Sequence, residues 1–286
     1  MTEVGVAIAA IAAFVLIAIL IGLDRLSVRI VRPQPRPFER TVPELDVPYE
    51  DLEIPAGEGT LAGWLLTPTP ARPLEPLVLL AHGWGANYST VLRLGEPLAC
   101  AGYDVLLFDV QGHGRNPPVD FVTVRHFRDD LIAVTRYAAK RFPDRQLIVV
   151  GHSMGGAAGI LAAADGAPIN GLVLIAAPAD VPRVTAEFLT DQGMPGSLLV
   201  SLLRPFWCLR LRSSFRSLTP WRRIREVHVP MMLIQPEHDS RVLRHHADQL
   251  TEASGVQYRL VRGREHTDVL SALATVALVE EFLERV

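Results

Sequence analysis

An α/β fold, a mostly parallel sheet covered by helices on both faces, is predicted by three features of this 286-residue chain. From Pro48 onward, short runs rich in Val, Leu and Ile recur as near-continuous apolar segments, the pattern of strands buried on both faces. Helical patterns long enough to serve as crossover connections separate them. An antiparallel pair with a turn sequence opens the series.

The elements follow in order. Val4 to Leu23 (VGVAIAAIAAFVLIAILIGL) carries no charged residue, and about twenty helical residues span the roughly 30 Å hydrocarbon core of a bilayer. A cleaved signal peptide is the competing reading, but that needs a basic n-region, a shorter apolar run and a small-residue cleavage site, whereas this chain begins MTEVG and continues LDRLSVRIV. An uncleaved anchor over residues 1–25 is therefore expected. Arg25, Arg29, Arg32, Arg36 and Arg40 all follow the apolar run, from which the positive-inside rule predicts a single-pass membrane protein with the domain that follows on the cytoplasmic side. Residues 26–47 contain Pro33, Pro35, Pro37 and Pro43 and are expected to form a semi-rigid linker whose arginines can meet anionic headgroups.

The remaining domain, 48–286, begins with YEDLEI and TLAGWLL flanking the turn residues AGEG, an expected hairpin. PLVLLA, YDVLLFD, QLIVVG, NGLVLIA, PMMLIQ and VQYRLVRG are the expected buried strands. Helices are expected near 89–100, 124–142, 153–164, 243–253 and 268–284. Residues from about 178 to 229 interrupt the alternation; a connection that long in a compact domain is usually functional, and it is expected to be a small helical cap over the carboxyl edge of the sheet.

A formal net charge of −3 supplies no electrostatic footprint for nucleic acid. Cys100 and Cys208 are too few and too differently placed for a disulfide framework. No His, Cys or acidic cluster has zinc-ligand spacing with apolar support, so neither a metal nor another cofactor is expected.

The chemistry centres on Gly151-His152-Ser153-Met154-Gly155-Gly156, a GxSxG pattern after the strand QLIVV and at the start of a helix rich in small residues. A serine is a poor nucleophile until it is presented to a base. A sharp strand-to-helix turn does so by pushing its hydroxyl out of the sheet, with Gly151 and Gly155 where side chains would clash. AHGWGAN after the first buried strand, FDVQGHGRN after the next and GHSMGG after the third together resemble the successive signatures of the α/β-hydrolase superfamily. The resemblance runs from about Leu52 to the C-terminus. It is closest to the bacterial branch similar to monoglyceride lipases, esterases and serine aminopeptidase-like hydrolases.

That resemblance implies a triad supplied in the order Ser, acid, His. Ser153 is the implied nucleophile. The acid lies in the turn PEHDSRV, where Asp239 is preferred and Glu237 competes. His266 in REHTDVL is the implied base, preceded by Glu265 where the family usually has Gly. Backbone N–H groups of Trp84 and Met154 are the implied oxyanion donors, with His82, Gly83 and Gly85 shaping the supporting turn. His152 is expected to pack beneath the elbow, His113 to be structural, and His238, His245 and His246 to be solvated.

Three functions remain open: a carboxylic-ester hydrolase acting on small or lipid-like acyl esters, an aminopeptidase-like amide hydrolase, and a non-catalytic binding module on the same fold. Phe188, Leu198, Leu199, Phe206 and Trp207 offer the cap an apolar wall, and its arginines are expected to form a solvated face. Serine at the elbow argues against dehalogenase and epoxide-hydrolase chemistry, which uses aspartate there.

Overall fold

A computed structural model of the chain describes residues 3–34, 36–57, 59–68 and 76–286. Eight strands form one sheet in the order β1-β2-β4-β3-β5-β6-β7-β8. The expected hairpin is β1 (Tyr49–Ala56) against β2 (Gly59–Leu66), closing at the Ala56–Gly59 pair through Gly57 in the left-handed region; Glu58 of its turn lies outside the described residues. The expected buried runs become β3 (Leu77–Ala81), β4 (Val105–Phe108), β5 (Leu147–His152), β6 (Gly171–Ile175), β7 (Met231–Pro236) and β8 (Tyr258–Val261), all mutually parallel, but β8 is an edge strand buried only at Val261. β3 and β5 are buried along their whole length, which explains why their sequences do not alternate.

Helices α2 (Tyr88–Cys100), α3 (Val124–Arg141), α4 (Met154–Ala164), α8 (Arg244–Ser254) and α9 (Leu273–Leu283) cover the sheet. Two apolar cores result, one on each face, around Leu79, Phe108 and Phe127 on one side and Trp64, Leu80 and Tyr88 on the other. The last expected helix is divided: a 3-10 turn at Asp268–Ser271 precedes α9, and Ala272 between them is extended. Leu270 and Ala272 are both buried, and a continuous helix would point residues two apart to different sides.

The interruption folds into helices α5 (Val181–Asp191) and α6 (Gly196–Leu211) and the short α7 (Pro220–Arg223). They enclose a third apolar core in which Leu203, Trp207, Leu211 and Phe215 meet Ala157 and Leu161 of α4.

The N-terminal helix α1 runs from Glu3 to Val31 and is long and apolar enough to cross a membrane. Its large side chains from Val4 to Ile21 are exposed. The helix continues past the apolar run into the expected linker, and there it turns inward. Ser27 is fully buried, its carbonyl accepts the Trp207 indole N–H at 2.8 Å, and Asp24 pairs with Arg210 at 2.6 Å.

The expectation of a semi-rigid spacer over 26–47 is thereby corrected. Pro33, Val42 and Leu45 are buried, the Asn87 amide donates to the Arg36 carbonyl, and Glu39 pairs with Arg93. Residues 26–31 continue α1 and Val42–Glu44 form a 3-10 turn around Pro43; between and after these, apolar residues find a surface on the domain and polar groups find partners there.

Candidate functional site

The elbow is built by close packing of backbone. β5 runs into Ser153, whose φ of 54° and ψ of −119° put a non-glycine residue in a sparsely populated region. Such a conformation costs on the order of 1–3 kcal/mol and is held here by the Ser153 N–H bonding the Ile175 carbonyl at 2.8 Å on one side and α4 starting on the other. A Cβ on Gly151 would lie 2.5 Å from the Gly155 carbonyl oxygen, and one on Gly155 would lie 2.3 Å from the Ala81 carbonyl oxygen. Those contacts are backbone against backbone, so neither can relax.

The loop after β3 crosses directly over the serine. A Cβ on Gly83 would sit 3.0 Å from Ser153 Cβ, and Gly85 adopts a φ of 67°. Two buried imidazoles fix this loop. Val110 N–H donates to His82 Nε2 at 3.0 Å, which leaves the His82 proton on Nδ1 to bond the Gly83 carbonyl at 2.8 Å. Gly85 N–H donates to His113 Nε2 at 3.0 Å, and His113 Nδ1–H reaches the Gln111 carbonyl. Burial drives the His82 pKa down to about 3, and the nearby His113 adds to the effect, so His82 is neutral and can accept. Burial likewise lowers His113. In the FDVQGHGRN turn, the Asp109 carboxylate accepts N–H groups from Tyr88 and Arg115, while burial raises its pKa to about 6.

The structure brings Ser153 and His266 to one cavity and Asp239 to His266. Asp239 is buried in the turn after β7; its Oδ1 accepts the N–H groups of Arg241 at 2.9 Å and Val242 at 2.8 Å, and its Oδ2 lies 2.9 Å from His266 Nδ1. A carboxylate only accepts, so the proton is on Nδ1 and Nε2 is the free base. Glu237, the competing acid, turns elsewhere: its Oε2 accepts the Gly263 N–H at 2.8 Å, and its side chain is 37% exposed. His152 is buried but reaches the cavity wall; it donates through Nε2 to the His266 carbonyl at 2.8 Å, and its ring lies 4.7 Å from that of His266 at a 45° tilt. Burial, with His266 adjacent, pushes its pKa down to about 3. The His loop is thereby tied to the elbow, and Glu265 in place of a glycine is accommodated by its N–H bonding Asp268 at 2.6 Å.

The cavity holds about 970 Å³ and is lined by Ser153, His266, Trp84 and Met154, with Phe188 and Trp207 of the cap. Of the expected apolar wall, Phe188, Leu199 and Trp207 line it, whereas Leu198 is exposed on the outside. One wall escaped the sequence reading: Leu26, Arg29, Ile30 and Val31 of α1. The apolar spacing Leu23, Leu26, Ile30, which continues past Asp24 and Arg25, was the available signal.

His238 is 64% exposed, as expected, but the expectation that His246 is solvated is corrected. His246 is fully buried, accepts the Ala179 N–H at Nδ1 and bonds Glu187 of the cap through Nε2 at 3.0 Å. His245 also meets Glu187 at 3.0 Å, and the three side chains are spaced like a metal site. The hydrogen bond at His246 Nδ1 leaves the proton on Nε2, the atom a metal would need, so these groups serve as a latch between α8 and α5.

The family model described as Serine aminopeptidase, S33 matches residues 72–207. Monoglyceride lipase of Rattus norvegicus is 30% identical over 137 residues, 46% of this chain and 44% of that protein. Monoacylglycerol lipase of Mycolicibacterium smegmatis is 32% identical over 90 residues, 31% of this chain and 32% of that protein. The chain thus spans less than half the length of these curated relatives. Among solved structures, an esterase of Pyrococcus furiosus superposes with a TM-score of 0.70 at 22% identity, covering 89% of this chain and 97% of that one. An α/β hydrolase from Penicillium gives 0.63 at 18% identity, covering 84% and 99%. The strand order, the elbow and these likenesses together give the chain the α/β-hydrolase fold.

Proposed function

We propose that this protein is a serine hydrolase of carboxylic esters, anchored to a membrane by α1. The observation that carries the reading is one cavity holding a serine on a strained elbow and a histidine already oriented by a buried carboxylate. His266 Nε2 takes the Ser153 proton, Oγ attacks the ester carbonyl, and Asp239 stabilises the imidazolium. The oxyanion is received by the N–H groups of Met154, at the start of α4, and Trp84. His266 returns its proton to the leaving alcohol, then activates the water that releases the acid from Ser153.

An aminopeptidase needs a carboxylate to receive the substrate's ammonium, and the described residues lining the cavity include no Asp or Glu. The likeness to lipases and esterases supports the ester reading. The arginines after the apolar run support a cytoplasmic hydrolase by the positive-inside rule; a C-terminal reporter active only outside the cytoplasm would overturn that reading.

The test is hydrolysis of p-nitrophenyl esters of increasing acyl length by the full chain in neutral detergent, beside Ser153→Ala. Loss of turnover and of fluorophosphonate labelling in the variant is expected. Turnover that survives the substitution, or its absence on every ester with no labelling of Ser153, defeats the reading.

A further inference from the structure

The cavity wall combines three features that an ester hydrolase does not require. Its cap side is apolar, with Val184, Phe188, Leu189 and Leu199 beside Trp207 and Phe215. Its volume of about 970 Å³ is at the upper end for small-molecule sites and admits a long acyl chain. Its charged lining is of one sign: Arg29, Arg36 and Arg241, with no carboxylate among the described lining residues. Other arginines of the same segment do have carboxylate partners, Arg32 with Asp120 and Arg40 with Glu96. None of the three cavity arginines forms an ion pair within the described chain, so their charge is available to a ligand.

Arg29 and Arg36 belong to the segment that leaves the apolar part of α1. The same helix that is long enough to cross a bilayer therefore continues directly into the cavity wall, fixed there by Trp207 and Arg210. A substrate resident in the membrane surface has its acyl chain and its head group at the same depths as the apolar and basic parts of that helix.

We propose that the cavity takes a single-chain acyl ester with an anionic phosphoryl head group, drawn from the membrane surface, and that Arg29, Arg36 and Arg241 are its head-group contacts. The proposal rests on the serine-hydrolase reading of Ser153 and gives it a substrate class. The acyl C–O bond breaks, water supplies hydroxyl to the acyl group and a proton to the alcohol, and the products are a fatty acid, which releases its proton to solvent, and a glycerol phosphate. A guanidinium pairs with a phosphoryl group through two parallel N–H bonds, which an ammonium cannot do. This makes arginine the fitting cation at all three positions.

The experiment compares oleoylglycerol phosphate with oleoylglycerol, using the full chain in neutral detergent micelles. The wild-type ratio of kcat/KM is expected to favour the phosphorylated ester. Arg29→Gln/Arg36→Gln should reduce that ratio about tenfold or more, the worth of a charge-assisted hydrogen bond, and salt should reduce it as well. Arg29→Lys/Arg36→Lys should restore part of it, which a purely structural effect of the glutamines would not allow.

Binding is read separately with Ser153→Ala protein, through quenching of tryptophan fluorescence by the dibromostearoyl analogues of both lipids. Preferential quenching by the phosphorylated analogue supports the head-group assignment even if Ser153 proves not to be a nucleophile. A ratio near one in the wild type, or an unchanged ratio in the glutamine variant, overturns it. So does a loss confined to anionic nanodiscs and equal for both esters, because the arginines would then be holding the bilayer's own headgroups.

Discussion

Asp239→Asn isolates the step on which the proposed mechanism depends. Asp239 Oδ1 is held by two backbone donors, Arg241 N–H at 2.9 Å and Val242 N–H at 2.8 Å, and Oδ2 faces His266 Nδ1 at 2.9 Å. Asparagine can keep both backbone bonds only by placing its carbonyl at the Oδ1 position, which aims its NH2 at His266. The opposite orientation would strand two N–H groups at about 1–3 kcal/mol each. The imidazole therefore moves its proton to Nε2, facing Ser153, and the base is blocked. The same change in a Ser-His-Asp triad lowers kcat about 10⁴-fold, or about 5.5 kcal/mol at 1.36 kcal/mol per decade. The assay is kcat on p-nitrophenyl butyrate, with thermal unfolding to establish that the variant is folded. Glu237→Gln should stay within about twofold, because its side chain receives the Gly263 N–H and lies 3.7 Å from the exposed His238, away from His266. A folded Asp239→Asn that keeps more than about a tenth of wild-type kcat, or a Glu237→Gln that loses as much, would refute the assignment of the acid.

Three further outcomes follow from the packing around the elbow. Gly155→Ala places a methyl group 2.3 Å from the Ala81 carbonyl oxygen, so a loss of about 3 kcal/mol or more is expected, read as a fall in Tm of roughly 6 °C or more; an unchanged Tm would mean the turn is looser than described. His113→Phe keeps a ring beside Phe127 but removes the acceptor of the Gly85 N–H, and should lower kcat about tenfold with KM little changed, since the loop carrying Trp84 loses its support; equal kcat would disconnect His113 from the site. Acid should destabilise the fold. The buried, neutral His82 and His152 have folded pKa values near 3 against 6.5 unfolded, so their stabilisation is complete above pH 6.5 and is lost as pH falls towards 3. Asp109 and Asp130, raised to about 6, act in the opposite sense between about pH 6 and 4, with smaller shifts. Thermal unfolding from pH 7 down to about 4 should therefore show a falling Tm, less steep in His152→Asn; a Tm that rises over this range would reverse the expected balance.

What the sequence disclosed, and what it did not, divides by the range of the interactions involved. The sheet was legible because β3, β5 and β6 are buried on both faces and must be apolar throughout, and the elbow because its strand, glycines and small-residue helix are contiguous. The partner of His266 was narrowed to two carboxylates, and the choice needed the backbone donors that lock Asp239 in place. His246 was misread from its polarity alone. It shares a helical stripe with Leu250, four residues on, and that spacing already put it on the inner face of α8. The segment from 26 to 47 was misread because its prolines bar a long helix or a central strand after Val31, while the burial of Val42 and Leu45 depends on a surface contributed by distant residues.

Misreading that segment concealed the connection between α1 and the site. A cap joined only to the sheet edge would be free to lift over the cavity as a unit. Here α6 is fastened to α1 through the Trp207–Ser27 hydrogen bond and the Arg210–Asp24 ion pair, and α5 to α8 through Glu187 and His246. Lifting the whole cap would break these contacts together, at about 1 kcal/mol for the neutral hydrogen bond and more for the buried histidine–carboxylate contact. Smaller adjustments leave them intact: side-chain movement of Phe188 or Met194, both exposed at the cavity mouth, opens space without disturbing either latch. The fold thus favours entry of a slender, single-chain substrate past mobile side chains over admission of a bulky one by cap displacement. Because one of the latches is α1 itself, the position of that entrance is fixed relative to the apolar part of that helix.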